Sequence, residues 1–423
     1  MDSFREKLAL FLTDRGLLRR VFFVLGVIFA FRLLAAIPIP GINTLALEQL
    51  LSQNQFLGLL NIFSGGGLSN LSIVLLGVGP YITASIIMQL MTIIFPALKA
   101  MYQEEGEAGR VKFAQYSRLL TLPLAALQGV AFLVLLTRQG IVPALPPFEF
   151  AINVLIAVAG SLLLMWLGEL VSEFGIGQGI SLLIFAGIVA GLPAAISQVA
   201  FTFETAQIPL YVAFVAATLA IIAGVVVVTE AERPIPVTYA KRVRGIRVMG
   251  GGSTYLPLRL NQAGVIPIIF ALSILLLPQM IFGLLASSSK TSLVQFASDA
   301  VTWLNDPWVY GGSYFILVFL FTYFYTAVTF DPNQIAENLQ RNGAFIPGIR
   351  PGQSTAEHLA KVITRITLPG ALFLGIIAVL PIVMQGLTGI KTLAIGGTAL
   401  LIVVSVVLDL VRRVDAQLVI GEY

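Results

Sequence analysis

Cysteine is absent, and histidine occurs once, as His358. Without thiols there is no disulfide framework, no thiolate metal site and no cysteine nucleophile. With a single imidazole, most zinc sites and most Ser/His chemistry fall away too. Charge is scarce as well. Only 11% of the 423 residues are Asp, Glu, Lys or Arg, against roughly 25% in an ordinary soluble domain. The patterns G-x-x-x-x-G-K-[ST], H-E-x-x-H and G-x-S-x-G do not occur, which removes the common phosphate-loop, zinc-protease and serine-hydrolase readings.

What is there is apolar. Hydrophobic residues make up 57% of the chain, and the mean hydropathy is +0.94. A water-soluble core of this size could not hide so much apolar surface, so lipid is the expected solvent. A spanning helix needs ~20 mainly apolar residues. Such segments lie near 21–37, 72–96, 115–136, 151–171, 180–200, 208–229, 263–285, 311–330, 366–387 and 390–411, which makes ten expected spans. Residues 1–20 carry five basic and three acidic residues and no small-residue cleavage site. Phe4, Leu8, Phe11 and Leu12 recur there at helical spacing, so an amphipathic cytoplasmic surface segment is expected rather than a signal peptide.

The basic residues sort by loop. Loops on the side of the N-terminus hold 21 Lys and Arg, those on the opposite side hold 3, and Arg32 lies inside the first span. This bias is a strong positive-inside signal and places both termini in the cytoplasm, as an even number of spans requires. Two loops, 230–260 and 331–365, are long and basic and are expected to project into the cytoplasm. Neither is long enough for a separate domain.

Two features break the pattern of simple spans. The apolar run 56–63 is too short to cross and ends at Ser64-Gly65-Gly66-Gly67. It reads either as a helix that dips in from outside and returns, or as a surface helix on the outer face. The second helix of each five-span half also carries an early break, Gly77-Val78-Gly79-Pro80 and Gly264-Val265-Ile266-Pro267. Corresponding interruptions in two halves point to an internal repeat around a central path, though a proline kink needed for packing would look the same.

Charge inside the membrane is sparse, where an ion-coupled transporter needs it. The candidates are Arg32, Glu169 and Glu173 at the end of span four, and Asp409 near the end of span ten. Arg412 and Arg413 follow Asp409 by one turn, as expected for local pairing at the interface. A passive path opened by an outside energy source fits this better than proton or ion coupling.

Several long motifs resemble those of the SecY family, the channel subunits of the bacterial Sec protein translocase. They are Asn61-Ile-Phe-Ser-Gly-Gly-Gly-Leu-Ser69, Gly79-Pro-Tyr-Ile-Thr-Ala-Ser-Ile-Ile87, Gly175-Ile-Gly-Gln-Gly-Ile-Ser181, Tyr239-Ala-Lys-Arg242 leading to Ser253-Thr-Tyr-Leu-Pro-Leu258, Asn261-Gln-Ala-Gly-Val-Ile-Pro267 and Phe345-Ile-Pro-Gly-Ile-Arg-Pro-Gly352. The resemblance runs from about residue 15 to the C-terminus.

It implies an all-α polytopic fold with ten transmembrane helices in two inverted five-helix halves, 21–200 and 201–423. It also implies an hourglass pore closed by an aliphatic ring of Val78, Ile82, Ile184, Ile188, Ile269 and Ile402. Val78 stands where bacterial relatives commonly have isoleucine. A plug helix is implied at about 56–70, with Asn61, Phe63, Ser64, Gly65, Gly66 and Leu68. A lateral gate between spans two and three and spans seven and eight would carry Ser85, Gln89, Gln128 and Asn261. Lys241, Arg242, Arg244, Arg247 and Arg350 would dock a motor or a ribosome.

Such a ring makes physical sense, because branched aliphatics offer water and ions no hydrogen bonds and a narrow constriction then gates by dewetting. On periodicity alone the same side chains read as core or lipid-facing residues. The resemblance further implies a bacterial plasma-membrane location and outward passage of unfolded preproteins, with signal sequences and membrane segments released sideways into lipid. No catalysis, metal or cofactor is implied. The implied partners are the small subunits SecE and SecG, the motor ATPase SecA and the ribosome. A secondary transporter of a small solute is the alternative, and an intramembrane hydrolase lacks the residues it would need.

Overall fold

The computed structural model describes residues 14–39, 61, 64, 66–68, 71–138, 142–143, 145–201, 208–239, 242–244, 247–249, 252–285, 291–388 and 391–421. The expected surface segment 1–20 lies outside these residues up to residue 13.

Each expected span falls on a helix. In the first half these are α1 (Arg15–Ala36), α2 (Gly79–Ile94), α4 (Gly106–Arg138), α5 (Pro147–Phe174) and α6 (Gly179–Phe201). In the second they are α7 (Ile208–Glu230), α8 (Ile266–Leu285), α10 (Pro307–Thr329), α12 (Gln353–Thr388) and α13 (Lys391–Gly421). Shorter helices α3 (Pro96–Gln103), α9 (Thr291–Leu304) and α11 (Pro332–Arg341) connect them. Helices within 106–137, 147–174, 307–341 and 353–380 are each long and apolar enough to cross a membrane, so this is a multi-pass membrane protein.

Local chemistry sets the helix starts. Asp14 caps α1, accepting from the amides of Gly16 at 2.8 Å and Leu17 at 3.3 Å. Asp306 does the same for α10 through Trp308 and Val309. A side-chain acceptor there satisfies amides that have no partner within the helix.

The second expected span, 72–96, is helical only from Gly79 to Ile94. Sixteen residues at about 1.5 Å each make roughly 24 Å, short of a ~30 Å hydrocarbon core. Before this helix, residues 71 and 73–78 run as turns, and Ser72 pairs with Pro38 in an isolated antiparallel bridge. Past Ile94, Phe95 is extended (φ −109°, ψ 107°) and Pro96 opens α3, bent by 113° from α2. Proline cannot continue the amide ladder, and it disfavours a helical conformation in the residue before it.

The two breaks noted in the sequence have the same geometry. Gly77 (φ +59°) and Gly264 (φ +61°) are both left-handed, and in each case a helix begins two residues later. Glycine adopts this conformation without the Cβ penalty other residues meet.

The loops 230–260 and 331–365 fold together, which corrects the all-α expectation. β1 (Glu232–Tyr239) is the centre of a three-stranded antiparallel sheet in the order β4-β1-β5, with β4 (Ser253–Arg259) and β5 (Ala344–Phe345). β2 (Arg242–Arg244) and β3 (Arg247–Met249) form a separate hairpin. Ile235 and Val237 alternate inward on β1 and meet Leu258, Ala344, Ile346, Leu359, Val362, Ile363 and Ile366 in one apolar cluster. The basic composition of these loops hid that alternation. Pro234 and Pro236 are tolerated because β5 pairs with β1 only at Thr238 and Tyr239, leaving one edge open beside the prolines.

The first turns of α12 belong to this cluster, and the same 36-residue helix continues into the bundle. At about 1.5 Å per residue it is a rod of roughly 54 Å.

Candidate functional site: a buried aliphatic cluster beside a cavity

The six residues expected in the ring are all buried. Val78, Ile82, Ile184, Ile188, Ile269 and Ile402 all belong to one contiguous buried apolar cluster, and none is more than 8% exposed. They arrive on four helices. Val78 precedes α2 and Ile82 lies in its first turn, while α6, α8 and α13 supply the rest. α8 packs against both α2 and α4, and α6 packs against α13. The chain segment before α2 is pinned deep in the bundle, where Ser161 Oγ of α5 donates to the Gly77 carbonyl at 2.9 Å. Gly160 beside it sits so close to the backbone of Ile73 that no Cβ fits.

A cavity of about 450 Å³ adjoins this cluster, with Ile82 and Ile269 on its lining. Tyr81, Ser85, Arg118, Glu169, Ser172, Glu173, Gln178 and Ser181 bring polar groups to its wall, beside the apolar Ala114, Ile180, Ile266 and Phe270. Arg118 Nε of α4 meets Glu169 Oε1 of α5 at 2.7 Å. Both side chains are partly open to solvent, so the pair is worth ~1 kcal/mol or less; it joins the two helices rather than anchoring the fold.

Gln178, Ser181 and Ile266 also line a second recess of about 200 Å³, together with Asn261, Ser405, Asp409, Arg412 and Arg413. Arg413 pairs with Asp409 at 2.9 Å, as expected from their spacing. Arg412 instead reaches α7, donating to Glu230 Oε1 at 2.7 Å and to the Thr229 carbonyl at 2.6 Å.

Of the plug residues, Phe63 and Gly65 lie outside the described residues. Asn61 is helical, whereas Ser64, Gly66 and Leu68 lie in turns. Ser64 and Leu68 are fully buried. Ser64 Oγ donates to the Asn61 carbonyl and accepts from the Leu68 amide, both at 3.0 Å. Leu68 packs with Leu71, Leu75, Leu76, Phe132 and Leu136, and Leu276 and Met280 of α8 lie against the same cluster. Arg32 also approaches here: a Cβ built on Gly66 would lie 3.6 Å from its Nη1.

The seam residues do not all converge. Gln89 Nε2 donates to Ser85 Oγ at 3.3 Å within α2, and Gln89 Oε1 is buried with no partner. Gln128 is buried on α4 and its Oε1 faces the start of α2, about 4.0 Å from a Cβ built on Gly79. Asn261 sits in the turn before α8, where its Nδ2 donates to the Gly264 carbonyl at 3.3 Å. It lines the smaller recess and not the larger cavity that Ser85 lines.

Lys241 lies outside the described residues. In the β2–β3 hairpin the backbone register pairs Arg244 with Arg247. Arg350 is exposed, in a loop shaped by left-handed Gly348 (φ +82°) and Gly352 (φ +95°). Its carbonyl accepts from Thr355 Oγ1 at 2.9 Å.

Sequence reasoning had not singled out Ser161, Arg118 or the Arg412–Glu230 pair. Only Ser161 left a signal: Gly160-Ser161 is a small pair inside an otherwise bulky apolar helix. Among the described residues no cluster of His, Asp or Glu is arranged to hold a metal ion.

A cavity with polar groups on its wall, bordering a buried aliphatic cluster inside a multi-pass helical bundle, fits a membrane channel. The chain belongs to the SecY family, whose sequence profile matches residues 72–411. It is 43% identical over 425 residues to the protein translocase subunit SecY of Mycobacterium tuberculosis, covering 96% of each chain. Its fold is similar to that of a solved protein-conducting channel (TM-score 0.65, 20% identity, 93% of this chain and 91% of that one). It is also similar to Sec61 from a canine ribosome-channel complex of the endoplasmic reticulum (TM-score 0.61, 19% identity, the same coverage).

Proposed function

We infer that this chain is the protein-conducting subunit of a Sec translocase, passing unfolded preproteins outward and releasing transmembrane segments sideways into lipid. The observation that carries this is the SecY family match over residues 72–411, and the burial of all six aliphatic side chains in one apolar cluster that borders a cavity supports it. Nothing in the comparisons supports a small-solute transporter.

The finer reading has ten spans in two inverted halves, with both termini in the cytoplasm of a bacterial cell and the chain in its plasma membrane. The matching left-handed glycines before α2 and α8 support the repeat, and the 21-to-3 charge bias supports the orientation. In this reading the aliphatic ring seals the resting pore and segment 56–70 plugs it from outside. The seam where α8 meets α2 and α4 is the lateral exit, with Ser85, Gln89, Gln128 and Asn261 as its polar residues. SecE and SecG are the small membrane partners. SecA or the ribosome supplies the push through the basic loops, and this chain itself performs no catalysis.

The direct test is reconstitution with a SecE-like single-span subunit, SecA, ATP and a preprotein. Protection of the preprotein inside vesicles is expected, and protection that does not depend on this chain would refute the assignment.

Two further results are expected. Deleting 60–69 removes Leu68 from the buried cluster it shares with Leu71 and Leu75, and resting ion leak in planar bilayers should rise severalfold. An unchanged conductance would show that this segment is not a plug. Because the chain has no cysteine, residues Ser85 and Phe270, which line one cavity, can be changed to cysteine and joined by a short bismaleimide. The joined protein should fail to release signal sequences into lipid; normal release would place the exit elsewhere.

A further inference from the structure

Helix α9 has no part in the pore, the seam or the docking loops, yet its side chains sort into three faces. At about 100° per residue, Val294, Ala297, Val301 and Leu304 share one face, and these are buried or half-buried against the bundle. Gln295, Ser298, Asp299 and Thr302 share a second, exposed polar face. Between the two runs a third stripe at positions i, i+3, i+7 and i+10, namely Leu293, Phe296, Ala300 and Trp303. Phe296 is 61% exposed and Trp303 63% exposed. A helix with only a protein side and a water side has no use for such a stripe. A helix lying flat at the edge of a membrane protein meets protein, lipid and water at once, and needs all three faces.

The neighbouring surface says what covers the stripe. Ile281 on α8, and Trp308, Ile316 and Leu320 on α10, are exposed large apolar side chains on the two helices that α9 links. These side chains, on the helices that flank α9, are exposed apolar groups of the kind acyl chains cover. Tryptophan favours the level where headgroups meet the hydrocarbon, and two of the three tryptophans in the chain are Trp303 and Trp308.

We propose that α9 is a lipid-docking helix, lying in the outer-leaflet interface with Leu293, Phe296 and Trp303 among the acyl chains. The ring of Phe296 also meets that of Phe282 edge to face, with centroids 6.0 Å apart. The lipid-held helix therefore bears directly on the end of α8, the same helix that carries Ile269 to the constriction. The outer-leaflet placement rests on the channel orientation given above, in which 286–310 is an external loop.

The test uses the full chain in phosphatidylcholine vesicles, with Trp166→Phe and Trp308→Phe leaving Trp303 as the sole tryptophan. Lipids brominated near the upper end of the acyl chain should quench its fluorescence about twofold or more, and lipids brominated near the chain terminus should quench it less. In parallel, Ser298→Cys and Phe296→Cys are introduced separately into the cysteine-free chain. A membrane-impermeant maleimide added from outside should label the first readily and the second only after detergent. External labelling at Ser298→Cys without quenching of Trp303 overturns lipid docking alone, and points to water or a second protein over the stripe. Labelling of Ser298→Cys only from the cytoplasmic side overturns the outer-leaflet placement together with the orientation on which it rests.

Discussion

Changing Ile82 and Ile402 together to asparagine is expected to raise the resting ion conductance of the reconstituted channel by about tenfold or more. Ile402 is fully buried and Ile82 nearly so, each within the cluster that also holds Val78, Ile184, Ile188 and Ile269. An all-aliphatic waist excludes water because nothing on it can replace the hydrogen bonds that water and ions would give up. Asparagine brings both donors and an acceptor to that waist. Left without partners, each buried amide would cost ~1–3 kcal/mol. Wetting the constriction removes that penalty, and a bias of about 1.4 kcal/mol already changes a wet-to-dry population tenfold. Changing both residues to valine is the control, since it keeps the surface apolar and should leave conductance within about twofold of the parent. If the asparagine pair conducts no more than the valine pair, the seal is made elsewhere, and the buried cluster is only packing.

That outcome bears on how much of the molecule could be read from the sequence. The apolar segments were legible because lipid demands long apolar helices, and every one of them falls on a helix. The breaks at Gly77 and Gly264 were legible because a glycine just ahead of a helix-starting proline has few other uses. The ring assignment was not legible from periodicity, since Ile184 and Leu183 on one helix look alike there, and both are buried in the same cluster. It came from family motifs.

The small sheet was missed because Arg233 and Arg259 dominated the reading of loops in which Ile235 and Val237 do the packing. The bend at Phe95 and Pro96 was missed because the apolar run does not stop there, although the helix does. Arg412 was assigned a local partner from its spacing and found Glu230 on another helix instead. Spacing along one helix cannot report a neighbour more than 180 residues away in the chain.

Arg350→Glu is expected to cut SecA-driven translocation by about tenfold or more while leaving the fold intact. The side chain is exposed, so the change removes no buried contact from the apolar cluster under the sheet. The loop around it is stiff, with Pro347 and Pro351 next to the left-handed Gly348 and Gly352, and with the Arg350 carbonyl held by Thr355. A stiff loop presents its guanidinium with little entropy left to lose on docking. A charged hydrogen bond formed there is worth ~1.5–3 kcal/mol, or about ten- to a hundredfold in affinity, and glutamate replaces attraction by repulsion.

The position of the loop makes the loss consequential. Gly352 is followed at once by α12, whose first turns pack in the sheet cluster and whose remaining length runs through the bundle. A push on the loop would be carried along that one helix into the bundle. Arg350→Lys should lose less, because it keeps the charge but not the planar fork that pairs two oxygens at once. The measurement is preprotein-stimulated SecA ATPase alongside protection of the preprotein in vesicles. If Arg350→Glu keeps both at the parent level, the loop is a topology charge and the push enters the channel elsewhere.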